Sequence, residues 1–354
     1  MALSRPALCL GIGLVVFAPA IGWAVDPELG PSEPFSFDLL QLEAQEAAGR
    51  PFEPRPIEHA DTLEDVDFDA HWQITFKTES SVWMADNSVP IQFFHLGRYF
   101  KEPVAIHLVE GEEAREILYT PDFFDIPDDN PAKSLPNDVG FAGFRVMNNH
   151  LRNDWMSFLG ASYFRTDGAL GQYGLSARAV AVDPAMPQAE EFPRFSAFWL
   201  APPEQAEDDL VIMARLESPS LEGAFKFGVA HDDGTVMTIE GHLYPRAPIE
   251  RLGLAPLTSM FWYAESNRAT APDWRPEIHD SDGLSIWTGG GEKLWRPLNN
   301  PDRVVVSSFF DENIEGYGLL QRDRSFNNYQ DDSVFYDRRP SVWVEPLGDW
   351  GRGA

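Results

Sequence analysis

The sequence predicts a mainly β protein, a sandwich or barrel with one short helix near its start. Three observations predict it. From about Asp67 onward, short runs rich in Phe, Val, Ile and Tyr recur between Pro, Gly, Asn and Asp clusters. Two of these runs flank a tight-turn signal ending in Asp233-Gly234. Only one stretch carries clear helix start and stop signals. Many short strands with turns at this spacing favour a sandwich or barrel over an alternating α/β sheet.

Residues 1–24 read as a secretory signal. Arg5 is the positive region, Leu8 to Ala20 is the apolar run, and Gly22 and Ala24 place small residues before a cut at Val25. A transmembrane anchor is the alternative, but the run is short for one. The single cysteine, Cys9, lies in this segment, and its neighbour Leu8 is too large for a lipoprotein cleavage site. The sequence therefore predicts a cysteine-free chain of residues 25–354 in an exporting compartment. A bacterial periplasm fits, with no stable membrane anchor and no disulfide.

Residues 25–35 are rich in Pro and acid and read as an extended lead-in. Ser36 to Gly49 is the helix. Ser36 caps it, Leu39, Leu40, Leu42, Ala44, Ala47 and Ala48 supply its apolar content, and Gly49 with Pro51 stops it. The strand expectations are Trp72–Phe76, Val89–Phe94, Val104–Val109, Ser157–Arg165, Ser196–Leu200, Leu210–Leu216, Ser285–Thr288 and Arg303–Phe309. Phe225 to Ala230 and Thr235 to Glu240 form the expected hairpin, with Gly234 supplying a positive φ. No repeat of fixed period is present, and Pro202 to Asp209 is an acidic loop rather than a domain boundary.

Charge excludes some functions. The chain has 27 Lys+Arg against 56 Asp+Glu, a formal net charge of -29. A phosphate backbone needs a dense cationic surface, so no nucleic-acid partner is expected. Docking on anionic lipid is disfavoured for the same reason. The motifs of common enzymes are missing: there is no Gly-x-Ser-x-Gly elbow, no P-loop and no His-Glu-x-x-His. Gly289-Gly290-Gly291 lacks a following helix pattern and reads as a turn between strands. The eight His are scattered without ligand-like spacing, so neither a metal site nor a cofactor is expected.

What remains is Phe261 to Trp350, with six of the eleven Trp: Trp262, Trp274, Trp287, Trp295, Trp343 and Trp350. Among them lie Arg275, Arg296, Arg322, Arg324, Arg338 and Arg339, and acids that include Glu277, Asp280, Asp282, Asp323, Asp331 and Asp332. Flat aromatic faces beside planar charged groups suit sugar rings, whose C–H face stacks while the hydroxyls take bidentate partners. A carboxylate at the end of such a groove can serve glycoside hydrolysis. The plainer reading stands beside this one: Trp in a β protein is usually core, and Arg–Asp pairs are usually structural. On that reading Asp280 and Asp282 are turn formers.

Several blocks resemble the periplasmic glucan biosynthesis family, OpgG and OpgD (also MdoG and MdoD). They include Leu254-Ala255-Pro256-Leu257-Thr258-Ser259-Met260-Phe261, Arg275-Pro276-Glu277-Ile278-His279-Asp280-Ser281-Asp282-Gly283-Leu284 and Trp295-Arg296-Pro297-Leu298-Asn299-Asn300-Pro301. Gly318-Leu319-Leu320-Gln321-Arg322-Asp323-Arg324 and Arg339-Pro340-Ser341-Val342-Trp343-Val344-Glu345-Pro346 fit as well, as do upstream blocks such as Tyr173-Gly174-Leu175-Ser176-Ala177-Arg178. The resemblance runs from about Phe35 to the last residue.

The resemblance implies a large galactose-mutarotase-like β-supersandwich with a groove for glucan. It also implies a role in making osmoregulated periplasmic glucans, whose backbone is β-1,2-linked glucose, with the glucan-synthesis machinery as a further partner. OpgD-like members are inverting endo-β-1,2-glucanases, and the resemblance makes Asp280 the general base, acting through a relay of water. Trp274, Trp287, Trp295 and Trp343 are the stacking candidates, and Arg275 and Arg296 the hydroxyl-binding candidates. In the family an immunoglobulin-like domain follows. The expectation is that residues 25–354 are the glucan-binding domain without it, and that the general acid lies past residue 354. A non-catalytic glucan-binding or assembly module is the rival reading.

Overall fold

The computed structural model describes residues 27–84, 89–203 and 209–354. The signal expectation at residues 1–24, Cys9 included, lies outside the described residues, as does residues 204–208 of the acidic loop.

Two seven-stranded sheets face each other. The first runs, in spatial order, Glu33–Pro34, Glu113–Glu116, Ala105–Glu110, Arg194–Ala201, Leu210–Glu217, Leu221–His231, Thr235–Pro245. It is antiparallel except where Arg194–Ala201 pairs parallel to Ala105–Glu110. The second runs Leu257–Thr258, Ser176–Arg178, Tyr163–Thr166, Asp154–Leu159, Phe141–Met147, Val89–His95, Val82–Met84, all antiparallel. Between them lies one aromatic-rich core, with Ile91, Phe93, Phe144 and Phe158 from the second sheet meeting Phe198, Ile212, Phe225 and Phe227 from the first. This is the layered sandwich that the strand pattern predicts.

The helix Phe37–Ala48 covers the other face of the first sheet. Ser36 Oγ accepts from the backbone N–H of Leu39 at 3.1 Å, the expected cap. Leu40 and Ala44, four apart on one face, pack on Val211, Met213 and Ala224. Burying Leu40 alone contributes about 2 kcal/mol. Leu210–Glu217 is therefore covered on both faces, by core and by helix, so it reads as a near-continuous apolar run rather than an alternation.

Four strand expectations change in detail. Ser157–Arg165 is two strands, Asp154–Leu159 and Tyr163–Thr166, because Gly160 and Ala161 turn the chain at φ 75° and 43°. Trp72–Phe76 is a strand only at Thr75–Phe76. Asp67 Oδ1 accepts from Ala70 N and starts a short helix, Phe68–Trp72, that consumes the rest. Arg303–Phe309 is exposed coil, not a strand. Its residues pair with no strand among the described residues, and strand propensity without a partner is not realised. The hairpin forms between Leu221–His231 and Thr235–Pro245, but its loop has three residues and Gly234 stays outside the left-handed region.

A third sheet of four strands carries the C-terminal part: Lys293–Pro297, Gly283–Trp287, Gly316–Leu320, Val342–Val344. Gly289 to Gly291 form the turn between its first two strands, with Gly291 at φ 83° and its N–H on Thr288 O. The segment 331–340 docks onto the loop 167–174 of the sandwich. Gly168 and Gly174 allow this, since a Cβ at either would lie 2.7 Å from Pro340 Cβ or 3.1 Å from Arg339 Cβ. Gln172 Nε2 donates to Val334 O at 2.9 Å across the same contact. Among the described residues no helix is long and apolar enough to cross a membrane.

Candidate functional site

The short strand Ile278–His279 leads into the third sheet through Asp280, Ser281 and Asp282, all held at the end of that sheet. Asp282 N–H bonds Leu320 O, and Asp282 O accepts from Leu298 N–H. Asp282 Oδ2 accepts the backbone N–H groups of Arg322 and Asp323. That makes Asp282 a structural turn residue.

Asp280 is 5% exposed. Its Oδ1 accepts from Arg339 Nη1 at 2.7 Å, and its backbone N–H donates to Met260 O at 2.7 Å. Burial pushes its carboxyl above the usual carboxylate range, while the Arg339 charge opposes the rise. The Arg339 guanidinium lies over the Tyr336 ring, 4.5 Å from its centroid, and its Nε has no partner among the described residues.

Behind Asp280 lies a buried polar network. His279 is fully buried, with Nε2 2.9 Å from Glu277 Oε2 and Nδ1 3.1 Å from Gln321 Oε1. Its ring stacks on Phe261. Glu277 in turn accepts from the Glu265 carboxyl, which this contact pushes up. Burial works to raise Glu277, and the bonds from His279 and Glu265 outweigh it, leaving it below the usual range. Glu277, His279 and Asp282 present ligand atoms all within 4.8 Å of one another, a spacing one divalent cation would accept. In this structure the His279 nitrogen facing them is hydrogen-bonded to Glu277. Counting His spacings misses such a cluster because only one of its members is His.

The predicted tryptophans fall into two groups. Across the third sheet, Trp295 pairs with Ser285, Ser285 with Gly318, and Gly318 with Trp343. Directly paired residues point to one face. Trp287, two residues from Ser285, shares that face. Trp343 lies over Gly316 and Gly318, where a Cβ would meet its ring at 2.7 and 2.9 Å, and Trp295 lies over Gly283 in the same way. The Arg322 guanidinium covers Trp295 at 4.8 Å and Lys293 covers Trp287 at 4.4 Å. Trp343 is 38% exposed, its Nε1 donating to Glu345 at 2.8 Å. Trp274 stands apart on a loop, 68% exposed.

The two predicted arginines are not on that face. Arg296 pairs with Leu284 on the opposite side and stacks on Phe309. Arg275 is ion-paired with Asp273 and Asp331, and its bonds hold Asp273 at about 2. Asp280 is thus bonded to Arg339 and lies beside the Glu277–His279–Gln321 network. Composition grouped Arg339 and Glu277 with the other charges of this stretch but gave no role to either, and did not single out His279 or Gln321. The period-2 spacing of Glu277 and His279 on one strand face was the available signal.

The architecture is that of a mainly β sandwich protein with an added, Trp-bearing sheet. Residues 35–354 match the family described as periplasmic glucan biosynthesis protein, MdoG. The chain belongs to that family. It is 49% identical over 339 residues to glucans biosynthesis protein D 2 of Ralstonia nicotianae, covering 92% of this chain and 63% of the relative. It is 46% identical over 335 residues to glucans biosynthesis protein D of Stenotrophomonas maltophilia, covering 92% and 62%. Against glucans biosynthesis protein D of Xanthomonas axonopodis pv. citri it is 44% identical over 329 residues, covering 92% and 62%. The chain thus spans a little under two thirds of the length of these curated relatives.

Proposed function

We propose that this protein is exported to the periplasm and acts in glucan biosynthesis there, binding β-1,2-linked glucan, with Asp280 as the general base of inverting hydrolysis. The observation that carries the reading is Asp280 itself. It is a buried carboxyl paired to one arginine, at the end of a sheet that bears three tryptophans on one face. A general base needs a carboxyl whose ionisation is tuned by burial and a neighbouring charge, and Asp280 has both. Trp343 offers an indole face that no cation covers among the described residues, and glucose C–H faces stack on such a surface.

Inverting hydrolysis also needs a second carboxyl to protonate the leaving oxygen. Asp331 is committed to Arg275 and to the N–H groups of Ser333 and Val334, which keep it ionised. Asp323 accepts from Ser325 N–H and Asn328 Nδ2 as a turn cap. Both carboxyls are thus already engaged by donors of the protein. The second reading, glucan binding without cleavage, is favoured by the direct Arg339 bond, which occupies one Asp280 oxygen.

The test adds linear β-1,2-glucan and follows tryptophan fluorescence and new reducing ends. A response to this linkage in preference to β-1,3- and β-1,4-glucans of equal length supports binding. New reducing ends that fall by about 10²–10⁴ in Asp280→Asn support the base role. Binding with no cleavage selects the second reading. An equal response to all three linkages, or to none, would sink both.

A further inference from the structure

We propose that Gln321 is a positioning residue that sets the Asp280–Arg339 pair, by tying the two chain segments that carry it to one buried amide. The proposal rests on the reading of Asp280 as the working carboxylate.

Gln321 is 2% exposed and follows directly on the strand Gly316–Leu320. Its Nε2 lies 3.3 Å from His279 O, 2.9 Å from Tyr336 O and 3.0 Å from Tyr329 Oη. Carbonyl oxygens only accept, so the amide NH₂ must face them. Its Oε1 then faces His279 Nδ1 at 3.1 Å as acceptor, which puts a proton on that nitrogen. The orientation of the amide is therefore fixed by its surroundings.

Apart from Tyr329, each partner belongs to one half of the pair. His279 is the residue before Asp280, and Gln321 holds both its ring and its carbonyl. Tyr336 lies three residues before Arg339. On the other side, Ser341 lies two residues after Arg339, and its Oγ accepts from the backbone N–H of Gln321 at 2.9 Å. Arg339 is thus bracketed by two bonds to one residue, while the same residue fixes the backbone entering Asp280. Arg324 assists from the exposed side by donating to Asp337 O and Arg339 O.

No other side chain meets this demand. Leucine leaves the His279 carbonyl without a donor and leaves Tyr336 O only the Arg339 N–H at 3.3 Å. Glutamate has the same shape but sets an anion against them. Asparagine is one methylene short of both segments. A shift of a few tenths of an ångström is enough to lengthen a 2.7 Å bond out of its useful range.

The readout is the titration of the Asp280 carboxyl, followed by ¹³C NMR with labelled aspartate and assigned by its loss in Asp280→Asn. The charged and titratable groups facing Asp280 are Arg339, His279 and Tyr336. In Gln321→Leu and Gln321→Met, which add no charge of their own, the midpoint is expected to rise by about one pH unit or more, as the Arg339 charge moves away. Tyr329→Phe removes a hydroxyl from the same amide and leaves both carbonyl bonds, so its midpoint should stay. Ser341→Ala loosens only the Arg339 side and should shift the midpoint in the same direction by less, which keeps the test open if the Gln321 variants do not fold. Lowered melting temperatures with an unmoved Asp280 midpoint, in the Gln321 variants or in Ser341→Ala, overturn the proposal and leave Gln321 merely structural. Glucan binding is measured separately on the unaltered chain. If that chain binds no glucan, the functional reading fails while the titration still decides the role of Gln321.

Discussion

Arg339 Nη1 lies 2.7 Å from Asp280 Oδ1, a contact that joins residues 59 positions apart. Both side chains are mostly buried, at 14% and 7% exposure. Removing one partner of such a pair strands the other in a poor solvent.

Arg339→Met should therefore destabilise the protein by about 3 kcal/mol at neutral pH. The sign of the pH dependence follows from burial. Asp280 already holds its proton to a higher pH in the folded than in the unfolded chain, and losing Arg339 widens that gap. The native state then binds more protons, so its stability falls as pH rises through the folded value. Urea denaturation at pH 4.5 and pH 8 should show the larger deficit at pH 8. Equal deficits would mean that the arginine contributes packing and not charge.

Glucan affinity should depend on Trp343 and on the floor beneath it. Trp343→Ala is expected to weaken β-1,2-glucan binding by about 1 kcal/mol, several-fold in Kd. Gly316→Ala keeps the ring but puts a Cβ 2.7 Å from it, so it should weaken binding in the same direction. Isothermal titration with an oligomer of several units checks both. If Gly316→Ala binds as well as the unaltered chain, the flat seating of the indole is irrelevant.

The second sheet makes a plainer claim on sequence. A Cβ at Gly143 would stand 2.1 Å from Phe158 O on the paired strand. Backbone cannot move aside as a flexible side chain can. Gly143→Ala should cost roughly 2 kcal/mol, within the range for overpacking, read as a lower urea midpoint with an unchanged slope. An unchanged midpoint would show that the strand pair opens at no cost.

The sandwich was legible because its determinants are local. Alternation, turn residues and the Ser36 cap are all written within a few positions of where they act. The site was legible only in part. Asp280 came from resemblance, and the shared face of Trp287, Trp295 and Trp343 follows from cross-strand register, which spacing within one strand does not reveal. The period of 2 does place Arg296 opposite Trp295, and grouping the two as one binding surface overlooked it. Gln321 and Arg339 have no local signature. Their roles exist only once residues 279, 321, 336 and 341 meet, and nothing near any one of them in sequence requires that. Arg303–Phe309 shows the converse, a strong strand composition left as coil, unpaired with any strand among the described residues.

The acid limb of stability should reflect two buried groups that act against each other. His95 is almost fully buried against Tyr119 and Phe124, with Nδ1 donating to Leu96 O and Nε2 without a partner among the described residues, and burial pushes it down to about 4. The unfolded chain takes up this proton near 6.5, so stability is lost as pH falls from 6.5 toward 4. Asp167 runs the other way. Desolvation raises it to about 6 and its Oδ1 has no partner among the described residues. The native state holds that proton where the unfolded state has released it, so stability is lost as pH rises from about 4 to 6. His95 has the larger shift and the deeper burial, worth up to about 3 kcal/mol, whereas half-exposed Asp167 is worth about 1 after allowing for solvent screening. The protein should therefore be less stable at pH 4 than at pH 7. His95→Phe should shrink that difference, and Asp167→Asn should enlarge it while raising stability at pH 7. Urea denaturation at the two pH values measures both. A His95→Phe protein with the full acid loss would place the titrating group elsewhere in the fold.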